Sequence, residues 1–278
     1  MSWWGKVIGG TFGFLLGGPL GALLGVALGH NFDRGMERIR LSHAQPGGSE
    51  RIKAAFFAAT FAVMGYIAKA DGRVSEDEIR MAEAVMDHME LSPDQRQAAI
   101  RLFQEGKEPG FDLDAVLAQF RDECRRRRHL LLMFLEIQLQ AAYADGSLHV
   151  AEERALHHIY SRLGITGFEF RQLEGMVRAA RGFAGAGAGA GPGPGGAGRG
   201  RPTPSRARIQ HAYTVLGVSP QASDAEVKRA YRRLMSQHHP DKLVAKGLPE
   251  EMMKLATEKA QEIRAAYDTV QEARKGAG

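Results

Sequence analysis

The sequence has 278 residues, 44% of them hydrophobic and 25% charged, which gives room for two small domains and does not require one large enzyme core. Its net charge of +5 is modest and does not by itself indicate nucleic-acid binding. The single cysteine excludes an internal disulfide and a cysteine-based zinc site, and favours a reducing compartment for the soluble part.

The first segment has the properties of a membrane anchor, over residues 1–30. Residues 7–29 contain no charged side chain, and a helix of that length spans roughly 34 Å, enough for a hydrocarbon core. Lys6 precedes the run, whereas several basic residues follow it, namely Arg34, Arg38, Arg40, Arg51 and Lys53. This asymmetry predicts a periplasmic N-terminus and a cytoplasmic C-terminal bulk. A cleaved signal peptide is the alternative, and the following basic residues disfavour it.

Glycine recurs at every fourth position of this segment, from Gly5 to Gly29. Such a stripe lets two membrane helices approach closely, and it predicts a homodimer. The alternative is that glycine is simply common in membrane helices, and Pro19 would kink the seam. The candidate dimerisation residues are Gly9, Gly13, Gly17, Gly21 and Gly25.

Residues 50–181 predict an all-α domain with an internal repeat, because apolar residues recur at spacings of three and four and no alternating strands occur. At an offset of 74 residues, the turn Ala70-Asp71-Gly72 matches Ala144-Asp145-Gly146. Glu78 and Leu91 match Glu152 and Ile165 at the same offset, which indicates two similar helical units.

The acidic turns of the repeat allow two interpretations. Carboxylates from Asp71 and Asp145 have the chemistry of cation ligands, although Lys69 and Tyr143 stand where an EF-hand needs ligands. Alternatively, each glycine stops one helix and the following acids favour the positive end of the next. The turns resemble those of the TerB-like fold. This resemblance leaves metal binding as an open alternative, but no metal site is assigned.

Other candidate chemistry in this region is weak. His157 and His158 lack the zinc-peptidase order, so we expect surface side chains. The run Arg125–Arg128 either touches anionic lipid or is a solvated helix end. No recognisable Ser/His/Asp or Cys/His signature is present, so the sequence predicts neither an enzyme nor a cofactor.

Residues 182–204 are almost entirely Gly, Ala and Pro, which predicts a flexible linker. Beyond it, residues 205–278 predict a helical hairpin. Ser223 and Glu226 form a capping box, and a second long helix is expected from about Pro249 to Arg274. Between the helices lies His239-Pro240-Asp241, in an exposed loop.

These residues together resemble the J domain: the opening from Tyr213 to Gly217, the helix Lys-Arg-Ala-Tyr-Arg-Arg-Leu, the loop His-Pro-Asp-Lys and the Ala-Tyr at Tyr267. The resemblance implies a DnaK-type chaperone as partner and no catalysis by this chain itself. It assigns partner-binding roles to the loop, His239, Pro240 and Asp241, and to the basic helix face, Lys228, Arg229, Arg232 and Arg233.

Over nearly the whole chain, the order of anchor, TerB-like domain, linker and J domain resembles the DjlA family of membrane-anchored co-chaperones. That resemblance implies a bacterial inner membrane, stimulation of the DnaK ATPase, and a role in envelope or capsule signalling. A membrane-tethered ion sensor with an accessory J domain is the alternative function.

Overall fold

The computed structural model describes residues 18–27, 48–70, 72, 76–125, 127–187, 206–238 and 253–275. Its elements in these ranges are all α-helices, which confirms the all-α class. In chain order they are α1 (Gly18–Ala27), α2 (Gly48–Ala68), α3 (Glu76–His88), α4 (Pro93–Gly106), α5 (Leu113–Glu123), α6 (Arg128–Ala142), α7 (Val150–Arg162), α8 (Gly167–Gly187), α9 (Arg206–Leu216), α10 (Asp224–His238) and α11 (Met253–Lys275). Two compact units contain α1–α7 and, from Phe168, α8–α11.

α1 is the described part of the predicted anchor. It begins with Gly18 and Pro19, and proline is tolerated in a first turn because the amide there has no helical partner. In this structure the N–H of Leu20 donates to Gln119 Oε1 of α5 at 2.8 Å. Residues 1–17, which hold the first half of the predicted span, lie outside the described residues.

α2 has the length and apolar character of a membrane span, but its environment is that of a core helix. Within the described ranges, its window Arg51–Ala68 alone is long and apolar enough to cross a bilayer. Most of that window is buried within the structure, 72% by residue, and Phe56 and Phe61 are completely covered. The apolar residues of α2 therefore form the core of the first unit.

α2 and α6, the first helices of the two repeats, run parallel. Phe56 of α2 contacts Phe134 of α6 at 6.4 Å between ring centroids. One turn further along both helices, Gln138 Nε2 donates to the carbonyl of Thr60 at 3.1 Å. Contacts that advance together in both helices require the same direction, so the two N-termini lie at one end of the unit.

The helix boundaries repeat at the interval that the sequence predicts. α3 spans Glu76–His88 and α7 spans Val150–Arg162, so both their starts and their ends differ by 74 residues. α4 and α8 begin at the same interval, at Pro93 and Gly167. The repeat is therefore structural as well as sequential.

The turns before α3 and α7 support the interpretation of helix stops. Gly72 has φ +89° and Gly146 has φ +92°, a region that glycine enters without steric cost. Acidic residues then occupy the first turn of α3, Glu76–Glu78, and that of α7, Glu152 and Glu153. The negative charges of the exposed Glu76 and Glu153 complement the helix dipole there. Asp71 lies outside the described residues.

Two glycines let α2 and α4 approach until their backbones touch. A Cβ added at Gly65 would lie 2.0 Å from the carbonyl oxygen of Phe103. A Cβ added at Gly106 would lie 1.8 Å from the carbonyl oxygen of Ala62. Side-chain atoms do not approach a carbonyl oxygen so closely, so this crossing requires glycine on both helices.

The cysteine of the chain is enclosed in the first unit. Cys124 follows α5 and is completely buried. Burial raises the pKa of its thiol to about 12, because the apolar surroundings disfavour the thiolate. This side chain is therefore packed as a small core residue, and its thiol is kept protonated.

α8 extends further along the chain than the composition suggests. It continues to Gly187, into the segment 182–204 for which a flexible linker is expected. Residues 188–205, the remainder of that segment, lie outside the described residues.

Candidate functional site

The basic helix of the second unit, α10, begins at the predicted capping box. The N–H of Ser223 donates to Glu226 Oε2 at 2.7 Å, and the N–H of Glu226 donates to Ser223 Oγ at 3.3 Å. The hydrogen bonds from Ser223 lower the pKa of the Glu226 carboxyl. This reciprocal cap fixes where the helix starts.

α10 has one buried face and one basic face. Val227, Ala230 and Leu234 are buried, at the spacing of three and four that an amphipathic helix requires. The four candidate basic residues are all exposed: Lys228, Arg229, Arg232 and Arg233. The helix therefore presents positive charge to a partner while its opposite side is fixed in the core.

α10 and α11 form the predicted antiparallel hairpin. The rings of Tyr231 and Tyr267 stack with centroids 4.3 Å apart. Nearer the start of α10, Arg274 Nη1 lies 2.5 Å from Asp224 Oδ1. Because an earlier residue of α10 meets a later residue of α11, the two helices run in opposite directions. Ile263 and Val270 of α11 are fully buried in the same cluster.

Arg274 of α11 joins the hairpin to α9. Its Nε donates to the hydroxyl of Tyr213 in α9 at 2.9 Å, and its Nη2 donates to the carbonyl of Ala222 at 2.6 Å. The hydrogen bond to Tyr213 is the largest cause of the raised pKa of the guanidinium, with the Asp224 carboxylate adding to it. The planar five-donor group suits this multiple contact. Arg274 lies in the last turn of α11, and the neighbouring sequence does not predict these distant partners.

The candidate loop follows α10 directly. α10 ends at His238, which is buried, and α11 begins at Met253. His239, Pro240 and Asp241 lie between them, outside the described residues. The partner-binding roles of these three residues therefore stay predictions.

Family models match three successive parts of the chain. The Co-chaperone DjlA transmembrane domain matches residues 1–39. The Tellurite resistance protein TerB family matches residues 57–175, and the DnaJ domain matches residues 211–277.

Relatives match over almost the full length. The chain is 48% identical to Co-chaperone protein DjlA of Photobacterium profundum, over 96% of this chain and 97% of that protein. It is 45% identical to Co-chaperone protein DjlA of Coxiella burnetii, over 99% of both chains. This chain belongs to the DjlA family of co-chaperones. No solved structure matches it significantly.

Membership of the DjlA family makes this chain a membrane-anchored J-domain co-chaperone, a regulatory class of protein. Its anchor is represented by α1, in which Gly21 and Gly25 of the predicted dimer stripe are half-buried. Gly9, Gly13 and Gly17 lie outside the described residues, so the stripe stays a prediction.

In the TerB region, the repeat brings two equivalent carboxyls into contact. Glu152 of α7 is 7% exposed and accepts a hydrogen bond from the N–H of His149 at 2.8 Å. Burial raises its pKa to about 7, and the neighbouring carboxyls of Glu78 and Asp145 contribute to that rise. The side-chain hydrogen bond between Glu78 and Glu152 raises the pKa of Glu152 further. The sequence showed their equivalence but not their contact.

The remaining candidates of this region have structural partners. Within the described ranges, no three His, Cys, Asp or Glu side chains are grouped so as to hold a metal ion. His157 and His158 are exposed, as expected. His158 Nε2 lies 2.7 Å from Asp114 Oδ1, and this hydrogen bond lowers the pKa of the Asp114 carboxyl. His158 therefore belongs to a surface contact between α5 and α7, and the His157 ring contacts that of Tyr160 within α7.

Proposed function

We propose that this chain stimulates ATP hydrolysis by a cytosolic DnaK-type chaperone through His239-Pro240-Asp241. The observation that supports the proposal is the exposed basic face of α10, which leads directly into that loop. Hydrolysis takes place on the chaperone, and the co-chaperone shifts it toward its hydrolysis-competent state. The family resemblance favours a regulatory role in envelope or capsule signalling.

The two parts of the proposed interface have different tasks. Lys228, Arg229, Arg232 and Arg233 meet an acidic partner surface, and exposed charges of this kind mainly raise the encounter rate and fix the register. The loop acts after docking. Asp241 makes a charge-assisted contact to a cationic group of the chaperone and biases a two-state element there.

The first prediction separates docking from stimulation, in single-turnover ATP hydrolysis by DnaK with the full-length protein in nanodiscs. His239→Gln should abolish stimulation at every co-chaperone concentration. Arg232→Glu with Arg233→Glu should instead raise the concentration for half-maximal stimulation by roughly tenfold, because attraction becomes repulsion. Added salt should narrow that difference, since screening weakens both effects.

The matched control is Arg206→Glu with Arg208→Glu, which changes the net charge equally on exposed residues of α9. It should leave stimulation close to that of the wild type. Full stimulation by the His239→Gln variant, with its helical content unchanged, would refute the proposed role of the loop.

The anchor carries two further proposals: that it crosses a bacterial inner membrane with its N-terminus in the periplasm, and that two chains associate through the glycine stripe. The excess of Lys and Arg after residue 29 supports the first. The four-residue period of glycine supports the second. Both are tested below.

A further inference from the structure

The first unit carries a surface of arginines at the end where α2 and α6 begin. This basic end consists of Arg51 in α2, Arg121 in α5, and Arg125, Arg127 and Arg128 around the α5–α6 turn. All are exposed except Arg127, which is half-buried. Arg126 lies outside the described residues.

Contacts between helices bring these arginines together. Arg51 Nη2 lies 2.6 Å from Glu123 Oε1, which joins the start of α2 to the end of α5. Arg121 Nη1 and Arg128 Nη1 donate to the carbonyls of Arg162 and Gly164 at 3.2 and 3.3 Å. The C-terminal end of α7 therefore lies against the basic end.

The repeat explains why the positive charge accumulates there. At the interval of 74 residues, Arg51 and Lys53 correspond to Arg125 and Arg127. Because α2 and α6 run parallel, these equivalent pairs lie at one end of the unit and not at opposite ends. Asp122 and Glu123 are the acidic neighbours that the structure pairs with them, and Asp122 holds Arg125 only at 3.3 Å across an exposed contact.

Two of these arginines lie at the start of α6, where positive charge is unfavourable. α6 has no acidic residue in its first turn and no side-chain cap, and Arg127 and Arg128 occupy its positive end. α3 and α7, by contrast, begin with acidic residues. A local choice that opposes helix stability points to a role outside folding.

The chain reaches this end from the membrane. α2 is the first helix after the anchor domain, whose family match ends at residue 39, and α2 begins at Gly48. Arg51 is therefore close to the anchor along the chain, and the other arginines of the basic end lie beside the helix terminus at which the chain enters. The anionic headgroups of the membrane leaflet that this unit faces carry the opposite charge, and the arginines of the basic end lie close enough to bind them.

We propose that the basic end binds the anionic lipid surface beside the anchor, holding helices α2–α7 of the first unit against the membrane with the start of α2 toward the headgroups. Each Lys or Arg near such a surface strengthens the contact by roughly fivefold at physiological salt. Several arginines at one end give a contact that depends on lipid charge and on ionic strength.

The test is hydrogen exchange of the full-length protein in nanodiscs of phosphatidylcholine, with or without phosphatidylglycerol. Amides of residues 121–130 should exchange roughly fivefold more slowly, or slower still, in the anionic discs. Amides of residues 76–83, at the other end of α2, should be unaffected. High salt should remove the difference, and inorganic phosphate in neutral discs should not reproduce it.

Arg125→Glu with Arg127→Glu should abolish the lipid-dependent protection. Acidic residues at the start of α6 favour its dipole, and an unchanged circular dichroism spectrum should show that the variant stays folded. Arg125→Lys with Arg127→Lys should retain it, because the contact depends on charge. The matched reversal at the opposite end, Lys69→Glu with Arg80→Glu, should also retain it.

Three results would overturn the proposal. The first is equal exchange of residues 121–130 in neutral and anionic discs. The second is unchanged lipid-dependent protection in the Arg125→Glu, Arg127→Glu variant. The third is equal protection by inorganic phosphate, which would indicate a small anion site in place of a membrane-binding surface.

Discussion

Glu152 ties the stability of the TerB region to pH. Its folded pKa is about 7, raised from an ordinary value of 4.5. A raised carboxyl pKa means that the folded state holds the proton more tightly than the unfolded state does. The resulting stabilisation is complete below pH 4.5 and is lost as the pH rises toward 7 and beyond.

The second prediction is that Glu152→Gln makes the protein more stable at pH 8 by about 2–3 kcal/mol and has little effect at pH 4. The amide keeps an oxygen for the N–H of His149 and a donor for Glu78, but it never carries charge. Thermal unfolding of the full-length protein in detergent, followed by circular dichroism across this pH range, measures the change.

Glu153→Gln is the control, because it makes the same replacement at the next, exposed position of α7. It should leave the pH dependence as in the wild type. A Glu152→Gln variant with the wild-type pH dependence would show that this carboxyl is not the group responsible.

At the scale of residues, the sequence identifies residue types and equivalent positions, but it does not show which side chains contact each other. The offset of 74 residues pairs Glu78 with Glu152, yet equivalent positions in a repeat need not touch. Similarly, Ser223 and Glu226 are predictable because a capping box is local. Arg274 is not, since its partners Tyr213 and Ala222 are distant in the chain and depend on how the hairpin packs.

At the scale of helices, the crossing of α2 and α4 depends on two glycines. Gly65 and Gly106 each face a backbone carbonyl of the other helix with no room for a methyl group. Backbone atoms cannot rotate away as a side chain can, so a substitution must separate the helices and disturb the core between them.

The third prediction is that Gly65→Ala and Gly106→Ala each destabilise the protein by about 3 kcal/mol or more. Urea unfolding followed by circular dichroism measures the loss. Gly175→Ala is the matched control, because this glycine also lies within a helix but has nothing within 4 Å of the added Cβ.

Gly175→Ala should be neutral or slightly stabilising, since alanine is the better helix former. If Gly65→Ala behaved in the same way, the close crossing of α2 and α4 would be wrong. The sequence could predict that both segments are helices, from their apolar periodicity. It could not predict which helices cross closely, because an interior glycine has the same local signature whether it faces solvent or a backbone.

At the scale of the whole molecule, the sequence was sufficient for the order of the parts, because each part has its own local signature. The anchor is apolar and uncharged, the repeat recurs at a fixed interval, and the hairpin contains capping and loop signals. The parallel course of α2 and α6 was not predictable, because it depends on long-range packing. The membrane orientation and the association of chains are likewise proposals to be measured.

The fourth prediction concerns orientation. A reporter fused after Gly278 should show cytoplasmic activity, because basic residues follow the anchor while only Lys6 precedes it. A fusion before Met1 should give the opposite result. Periplasmic activity of the C-terminal fusion would reverse the topology and remove access to a cytosolic chaperone.

The fifth prediction concerns association. Replacing Gly13, Gly17 and Gly21 by Leu should weaken self-association of the anchor in a membrane two-hybrid assay, since larger side chains separate the backbones. Replacing Leu15, Leu16 and Leu20, which lie off the stripe, by Ala provides a control. Unchanged association of the glycine variant would remove the stripe from the interface.

Because Cys124 is enclosed, the reactivity of its thiol reports on transient opening of the first unit. A thiol that is completely buried, with a pKa of about 12, is protected from alkylating reagents as long as the first unit stays closed. Because it is the only cysteine, its labelling rate measures transient opening of that unit alone. A second cysteine placed on the surface of α10 would take a fluorophore selectively, so chaperone docking could be followed in the otherwise native chain.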